Sequence, residues 1–158
     1  MTRRLATPAD AAALAVLINE AFLVEAFFKI GDRTDEATVL ALMREGEFLV
    51  IEDEDGTRAL IGCVYLKTKG DRAYLGMLSV GRSRQRQGLG RQIVAWAESH
   101  AAAQGCRFMD MHIVNLREEL FPYYRALGYR EAGVLPFENT GRISRPCHFV
   151  VMTKALSS

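Results

Sequence analysis

Apolar residues recur every three or four positions in four stretches of the chain, and this spacing predicts helices. The first stretch follows Thr7, where Pro8 takes the first helical position and Asp10 supplies a carboxylate in the first turn, as at a helix N-terminus. We predict this helix as the first element of the fold. Three further helices are expected, after Thr34, over residues 90–104 and over residues 120–127.

Short runs rich in β-branched and aromatic residues predict strands between these helices. The runs cover residues 48–51, 59–66, 73–80, 108–114, 129 onward and 148–153. Polar turns separate the first three, so they predict an antiparallel meander. The strand, helix and strand within residues 73–114 predict a right-handed parallel crossover. The fold class expected is therefore α/β (α+β), with a mixed, mostly antiparallel central sheet and helices on both faces.

Composition and charge narrow the class of protein. The chain has 158 residues, with 20 Lys and Arg against 19 Asp and Glu, and a formal net charge of +1. Since a domain takes roughly 100–200 residues, we expect one domain over residues 1–158. The longest apolar runs are well short of the roughly 18–20 residues that cross a bilayer, and the first residues lack the apolar core of a secretory signal. We therefore expect a cytoplasmic protein with no membrane partner.

The three cysteines give no sign of a disulfide framework or a metal site. Cys63, Cys106 and Cys147 lie more than forty residues apart and form no C-x-x-C pair. Cys147 and His148 are adjacent on a predicted strand, where neighbouring side chains point to opposite faces, so they do not form a nucleophile and its base. We expect reduced thiols and no metal.

Glycine and arginine are concentrated where the strand of residues 73–80 joins the following helix. Unpaired N–H groups at a helix N-terminus suit a phosphate, and arginines add charged donors. The arginines of this segment are Arg82, Arg84, Arg86 and Arg91. The P-loop pattern is absent, and the dinucleotide fingerprint fails because Ile93 stands at its third glycine position. Taken alone, Gly88-Leu89-Gly90 is explained equally well as a helix cap.

Two motifs resemble those of the GNAT superfamily of N-acetyltransferases. Gln85-x-x-Gly88-x-Gly90 after a strand is similar to the acetyl-CoA signature [QR]-x-x-G-x-[GA], and Tyr124-Arg-Ala-Leu-Gly128-Tyr129 is similar to the later motif Y-x-x-x-G-[FY]. The motifs occur in the family's order with a strand between them. The element order matches over nearly the whole chain. On these grounds the chain is identified as a member of the superfamily, in a bacterial branch of undefined substrate.

The resemblance implies that acetyl-CoA is the co-substrate and that two parallel strands, ending near Val80 and Val114, splay to admit it. It implies cofactor contacts from Leu78, Val80, Gln85, Arg86, Gln87, Gly88, Leu89, Gly90, Arg91 and Asn115. Two positions depart from the family pattern. Arg82 replaces a common proline, and Asn115 lies nine residues before Tyr124, which is further than the family spacing.

The resemblance also assigns catalytic roles. Tyr124 occupies the usual position of the general acid, with Tyr123 beside it as a structural tyrosine. A thiolate leaving group has a parent pKa of about 8.5, so a nearby hydroxyl helps it to leave. A backbone N–H near residues 78–80 would polarise the acetyl carbonyl. The attacking amine must lose a proton, and Glu25 and His112 are the candidate bases.

The predicted activity is transfer of an acetyl group from acetyl-CoA to a primary amine of a small molecule or peptide, by direct attack in a ternary complex. A non-catalytic sensor domain that binds CoA or acyl-CoA with the same fold is the alternative. A nucleic-acid module is disfavoured, because the charge is nearly balanced and aromatic residues do not interleave with the arginines. In such enzymes loops set the specificity for the acceptor, and we refer to residues 22–33 and 135–146 as the acceptor loops. Their sequence does not indicate which amine is acetylated. The sequence does not decide whether the chain forms a homodimer.

Overall fold

A mixed β-sheet forms the centre of the fold in the computed structural model of the protein. The structure describes residues 1–138 and 140–156, and that part of the chain contains seven strands in one sheet. The strands are Thr2–Leu5 (β1), Glu47–Glu52 (β2), Leu60–Lys69 (β3), Arg72–Val80 (β4), Phe108–Val114 (β5), Arg130–Pro136 (β6) and His148–Ala155 (β7). They pair in the order β1-β2-β3-β4-β5-β7-β6. β4 and β5 are parallel and all other neighbours are antiparallel, which confirms the expected fold class and the meander of β2 to β4.

The α-helices are Ala11–Ala21 (α1), Glu36–Met43 (α2), Leu89–Ala103 (α3) and Leu120–Ala126 (α4). They cover both faces of the sheet because alternate strand residues point to opposite sides. In β2, Phe48 and Val50 pack with α1 and with Val39 of α2, whereas Leu49 and Ile51 pack with α3. The two helix layers predicted from the sequence are therefore present.

The chain begins with strand β1, so the prediction that a helix is the first element was wrong. β1 pairs antiparallel with β2 at the edge of the sheet, with Arg3 opposite Ile51. Its four residues are exposed except for Arg4, which is partly buried. A short, polar edge strand carries no alternation of apolar and polar residues, and the sequence pattern therefore gives no signal for it.

The predicted helix signal at Thr7 is present, although a 3₁₀ turn, Pro8–Asp10, precedes α1. The carboxylate of Asp10 accepts the N–H of Thr7 at 2.8 Å. It also accepts two hydrogen bonds from Arg4, at 2.8 and 2.9 Å. These hydrogen bonds, above all the two from Arg4, lower the pKa of Asp10 to about 2. Asp10 thus closes the turn that leads into α1 and ties it to β1.

Every helix in residues 1–138 and 140–156 is too short or too polar to cross a membrane.

Gly46, between α2 and β2, provides a test of how closely the chain packs against β3 at this point. A Cβ atom at this position would lie 2.6 Å from the carbonyl oxygen of Leu66 and 2.7 Å from the hydroxyl of Tyr65. We expect Gly46→Ala to lower the free energy of unfolding by about 1–3 kcal/mol, because the backbone of β3 has to shift. Urea unfolding would measure this. The control is Gly133→Ala in β6, where an added Cβ meets no atom within 4 Å, and an equal effect of both variants would contradict the explanation.

Candidate active site

The two parallel strands separate partway along their length. β4 and β5 pair at Arg72 with Phe108, at Ala73 with Met109 and at Tyr74 with Asp110, and no pair follows within the described strands. Both strands nevertheless continue, to residues 80 and 114 respectively. A cavity of about 980 Å³ lies along this opening and is lined by residues of both strands. The splayed pair implied by the resemblance is therefore present.

A β-bulge interrupts β4 beside the cavity. Cys63 of β3 lies opposite Ser79, but Tyr65 lies opposite Gly76, so Met77 and Leu78 together face one residue of β3. Met77 has a φ of +54°, in the left-handed region, and its carbonyl accepts a hydrogen bond from the hydroxyl of Ser79 at 3.0 Å. A bulge leaves backbone groups outside the regular ladder. The pattern of residues along β4 gives no sign of it.

The loop between β4 and α3 wraps around the N-terminus of that helix. It contains a 3₁₀ turn, Arg82–Arg84, and two residues with positive φ, Arg86 at +65° and Gly88 at +78°. Gly88 directly precedes the first residue of α3 and takes the left-handed conformation that glycine adopts at no steric cost. The first N–H groups of a helix lack partners within the helix. The loop thus places the N-terminus of α3, a position that suits an anion, at the wall of the cavity.

The predicted cofactor contacts are brought together with two exceptions. The cavity is lined by Leu78, Val80, Gln85, Arg86, Gly88, Leu89, Gly90 and Arg91. Gln87 is exposed and lies outside the lining. Asn115 also lies outside it, and its side-chain oxygen accepts the N–H of His148 at 2.9 Å, which joins the end of β5 to the start of β7. The unusual spacing of Asn115 in the motif agrees with this structural contact.

The four arginines of the loop differ in their surroundings. Arg84, Arg86 and Arg91 line the cavity, whereas Arg82 does not. The guanidinium of Arg84 also forms an ion pair with Asp53 in the turn between β2 and β3. We expected all four arginines to face a polyanionic ligand, but only three of them line the cavity. One of the three, Arg84, is also paired with Asp53.

Tyr124 projects from α4 into the cavity. Its side chain is buried and lies edge-on to Tyr123 and Tyr129, with ring centroids 5.0 and 6.0 Å away. Burial raises the pKa of Tyr124 well above its ordinary value, so the hydroxyl keeps its proton at neutral pH. Tyr123 also lines the cavity but is half-buried, and a Cβ added to Gly90 would lie 3.4 Å from its hydroxyl. Tyr123 thus lies next to the first turn of α3, and Tyr124 is the more deeply buried of the two.

Glu25 lies in a 3₁₀ segment, Phe22–Phe27, that follows α1, and it is buried against two cations. Arg117 donates a hydrogen bond to one carboxylate oxygen at 2.8 Å, and the ammonium of Lys29 lies 3.8 Å from the other. Burial, reinforced by the positive charge of Arg33, lowers the pKa of Lys29 to about 8. Both carboxylate oxygens of Glu25 are therefore directed at positive groups of the chain itself.

His112 occupies the middle of β5 on the same side of the sheet as Tyr74. The imidazole lies between Tyr74, at 4.9 Å between ring centroids, and Phe149, at 6.0 Å. Burial lowers the pKa of His112 below 6.5, against a smaller opposing effect of Asp110. The ring is therefore neutral at pH 7, and it lines the cavity.

Several residues of the wall had no signal in the sequence. Arg117, Arg33, Arg142 and Lys29 all line the cavity, and they come from three separate segments of the chain. The acceptor loops contain three of them, but charged residues in loops show no period that would single them out. In residues 1–138 and 140–156 no group of three or more His, Cys, Asp or Glu side chains is arranged to hold a metal ion.

Comparisons with known proteins agree with this architecture. The sequence model of the acetyltransferase (GNAT) family matches residues 15–129. The fold is similar to that of the ribosomal-protein-S18-alanine N-acetyltransferase of Escherichia coli, with a TM-score of 0.80, 16% identity, and coverage of 99% of this chain and 94% of that chain. An aminoglycoside 6'-N-acetyltransferase complexed with coenzyme A gives a TM-score of 0.78 at 19% identity, covering 100% and 98% of the two chains.

A third similar structure is yncA from Salmonella typhimurium with its cofactor acetyl-CoA. Its TM-score is 0.73 at 22% identity, covering 100% of this chain and 95% of that chain. At these identities the structural likeness concerns the fold. No curated protein matches the sequence significantly.

The protonation of His112 can be measured directly. In an NMR titration we expect its imidazole to change charge below pH 6.5, because burial disfavours the imidazolium form. Asp110→Asn should lower the midpoint further, since the carboxylate stabilises the charged ring. The variant His112→Phe identifies the resonance. A midpoint at or above 6.5 would contradict the proposed effect of burial.

Proposed function

The chain belongs to the GNAT acetyltransferase family, and on this premise we propose that it transfers an acetyl group from acetyl-CoA to a primary amine. The acceptor belongs to a small molecule or a peptide. One observation carries the proposal: the opening between β4 and β5 has the N-terminus of α3 at one end and leads to a buried tyrosine and a neutral histidine. Acetyl-CoA supplies a thioester whose acetyl group an amine can take.

The loop before α3 fits the pyrophosphate of the cofactor. Gly88 has space for a phosphate close to its backbone, because no atom lies within 4 Å of where its Cβ would be. Arg86 and Arg91 add positive charge at the cavity wall. In the proposed complex the backbone amides from Arg86 to Arg91 bind the phosphates, as the N-termini of helices do elsewhere. Gln87 contributes through its backbone only, and its side chain faces solvent.

The bulge in β4 supports the proposed polarisation of the acetyl carbonyl. Met77 and Leu78 leave the ladder with β3 while they border the cavity. A backbone N–H released in this way can donate to the acetyl oxygen as negative charge develops there. Because the strand fixes the donor in advance, no reorganisation is required during the reaction.

Tyr124 is proposed as the general acid that protonates the departing thiolate. Its raised pKa keeps the proton on the hydroxyl until the thiolate forms. Among the described residues that line the cavity there is no cysteine, serine or threonine. This composition supports direct transfer in a ternary complex, since the usual side chains of a covalent acyl-enzyme are missing from the wall.

His112 is proposed as the base that accepts the proton of the amine, directly or through one water molecule. A neutral imidazole can take a proton, and its lowered pKa keeps it neutral throughout the physiological range. Glu25 is the weaker candidate, because both of its oxygens are directed at Arg117 and Lys29. We assign Glu25 to positioning the loop that follows α1.

Release of free CoA, followed with a thiol reagent, tests the proposed activity. With acetyl-CoA and a panel of primary amines, thiol should appear only when an acceptor is present. Tyr124→Phe should lower kcat by about 100-fold or more, the usual contribution of a general acid, while the Kd of acetyl-CoA changes little.

Tyr123→Phe is the matched control for Tyr124→Phe, since it removes a neighbouring hydroxyl that the proposal leaves outside the chemistry. Undiminished turnover in Tyr124→Phe would eliminate Tyr124 as the acid. Binding of acetyl-CoA without thiol release across the whole panel would favour a non-catalytic CoA-binding domain instead.

Gly88 and Gly105 allow the cofactor loop to be tested separately from stability. Both flank α3, both have positive φ, and an added Cβ meets no atom within 4 Å at either site. Alanine should therefore lower the free energy of unfolding by about 1–2 kcal/mol, and by a similar amount at the two positions. Only Gly88→Ala should raise the Kd of acetyl-CoA, which isothermal titration calorimetry measures. Equal affinities in the two variants would argue against phosphate binding at this end of α3.

A further inference from the structure

Basic side chains dominate the part of the cavity wall that the cofactor loop does not form. Apart from residues 84–91, the charged residues of this wall are Lys29, Arg33, Arg117 and Arg142 against Glu25 and Glu138. Lys29, Arg33 and Arg142 are referred to below as the basic rim. They lie on the two acceptor loops, and none of them is close in sequence to the glycine-rich segment.

Backbone hydrogen bonds hold the two acceptor loops together, which keeps the basic rim in one place. The N–H of Ile30 donates to the carbonyl of Arg142 at 2.8 Å, and the N–H of Ser144 donates to that of Phe28 at 2.7 Å. Lys29 and Ile143 form an antiparallel bridge. The rim is therefore assembled by tertiary structure and is not a set of independent surface residues.

Each side chain of the rim is also restrained. Arg142 donates to the carbonyl of Asp32 at 2.7 Å, and the guanidinium of Arg33 lies over the ring of Phe22 at 5.3 Å. The side chain of Lys29 is only 14% exposed. A restrained cation loses less conformational entropy when it binds an anion than a mobile surface lysine does.

In the described residues, one carboxylate, that of Glu25, forms an ion pair with a cation of the rim. Glu25 is the acid next to Lys29, but Arg117 already lies closer to it, at 2.8 Å against 3.8 Å. In the described residues neither Arg33 nor Arg142 forms an ion pair with a carboxylate. Burial above all, and then the neighbouring charges of Arg33 and Arg142, lower the pKa of Lys29. An anion in the cavity would give the cations of the rim a partner.

We propose that the acceptor is an amine that also carries an anionic group, a carboxylate or a phosphate monoester, and that the basic rim binds this group. This inference rests on the proposed function. Charged hydrogen bonds from guanidinium groups are among the strongest that a site offers to such an anion. The rim repels polycationic amines, which gives the site selectivity as well as affinity.

Matched pairs of amines test the inference through CoA release. An amino acid is compared with its carboxamide, and phosphoethanolamine with ethanolamine, with spermidine as a polycation. We expect kcat/KM to be at least about tenfold higher for the anionic member of the preferred pair, as loss of a charged hydrogen bond implies. A preference within the amino acid pair identifies the anionic group as a carboxylate, and a preference within the ethanolamine pair identifies it as a phosphate.

Variants connect any preference to the rim. Arg33→Gln and Arg142→Gln should each raise the KM for the anionic amine by about 10- to 100-fold, so that the preference over its neutral partner falls toward one. Arg145→Gln is the control. Arg145 lies on the same loop as Arg142, over the ring of Phe27, and outside the cavity lining. A preference that both rim variants retain would overturn the inference.

Failure of the inference and failure of the proposed function give different results. Turnover of neutral or polycationic amines that equals or exceeds that of the anionic partners overturns the inference and leaves the activity standing. Absence of thiol release with every amine contradicts the activity. Calorimetry of the same amines with the protein–CoA complex then tests the inference alone. If the anionic amine binds and Arg33→Gln abolishes that binding, the inference is supported; if there is no such binding, it is overturned.

Discussion

The separation of β4 and β5 after Tyr74 and Asp110 is the constraint on which the rest of the structure depends. Backbone groups inside a protein need hydrogen-bond partners, so the groups of both strands that face the gap are left for water or a ligand. The ladder on the other side of each strand holds the sheet together. β5 pairs with β7 along its whole length, and β4 pairs with β3 apart from the bulge. The gap can therefore expose two strand edges to a ligand while the sheet stays intact.

Charge is distributed along the opening in a way that the net charge of +1 conceals. Cations line the cavity, and some are already engaged by the chain, as Arg84 is by Asp53 and Arg117 by Glu25. Those pairs hold loops in place. The other cations are left to act on what enters the cavity, which we propose to be the phosphates of the cofactor and the anionic group of the acceptor.

Local patterns in the sequence predicted most of the fold and, within the candidate site, the glycine-rich loop that precedes α3. The helices, the meander and the glycine-rich loop depend on periodicity and on caps such as Thr7 and Gly88, which nearby residues specify. The bulge at Met77 and the contact of Asn115 with the start of β7 depend on the partner strand, which a linear pattern does not reveal. The basic rim was missed for the same reason, since Lys29 and Arg142 meet only because their loops pair in three dimensions.

One physical cause prepares both proposed proton-transfer groups. Tyr124 packs with the layer of α3 and α4, whereas His112 lies beside Tyr74 on the opposite side of the sheet, and the opening joins the two sides. Burial disfavours the charged form of each group, which raises the pKa of the tyrosine and lowers that of the histidine. The acid thus keeps its proton and the base stays free of one at the same pH. Because no specific ion pair is needed to tune either group, the cations of the wall that the chain does not pair remain available for binding.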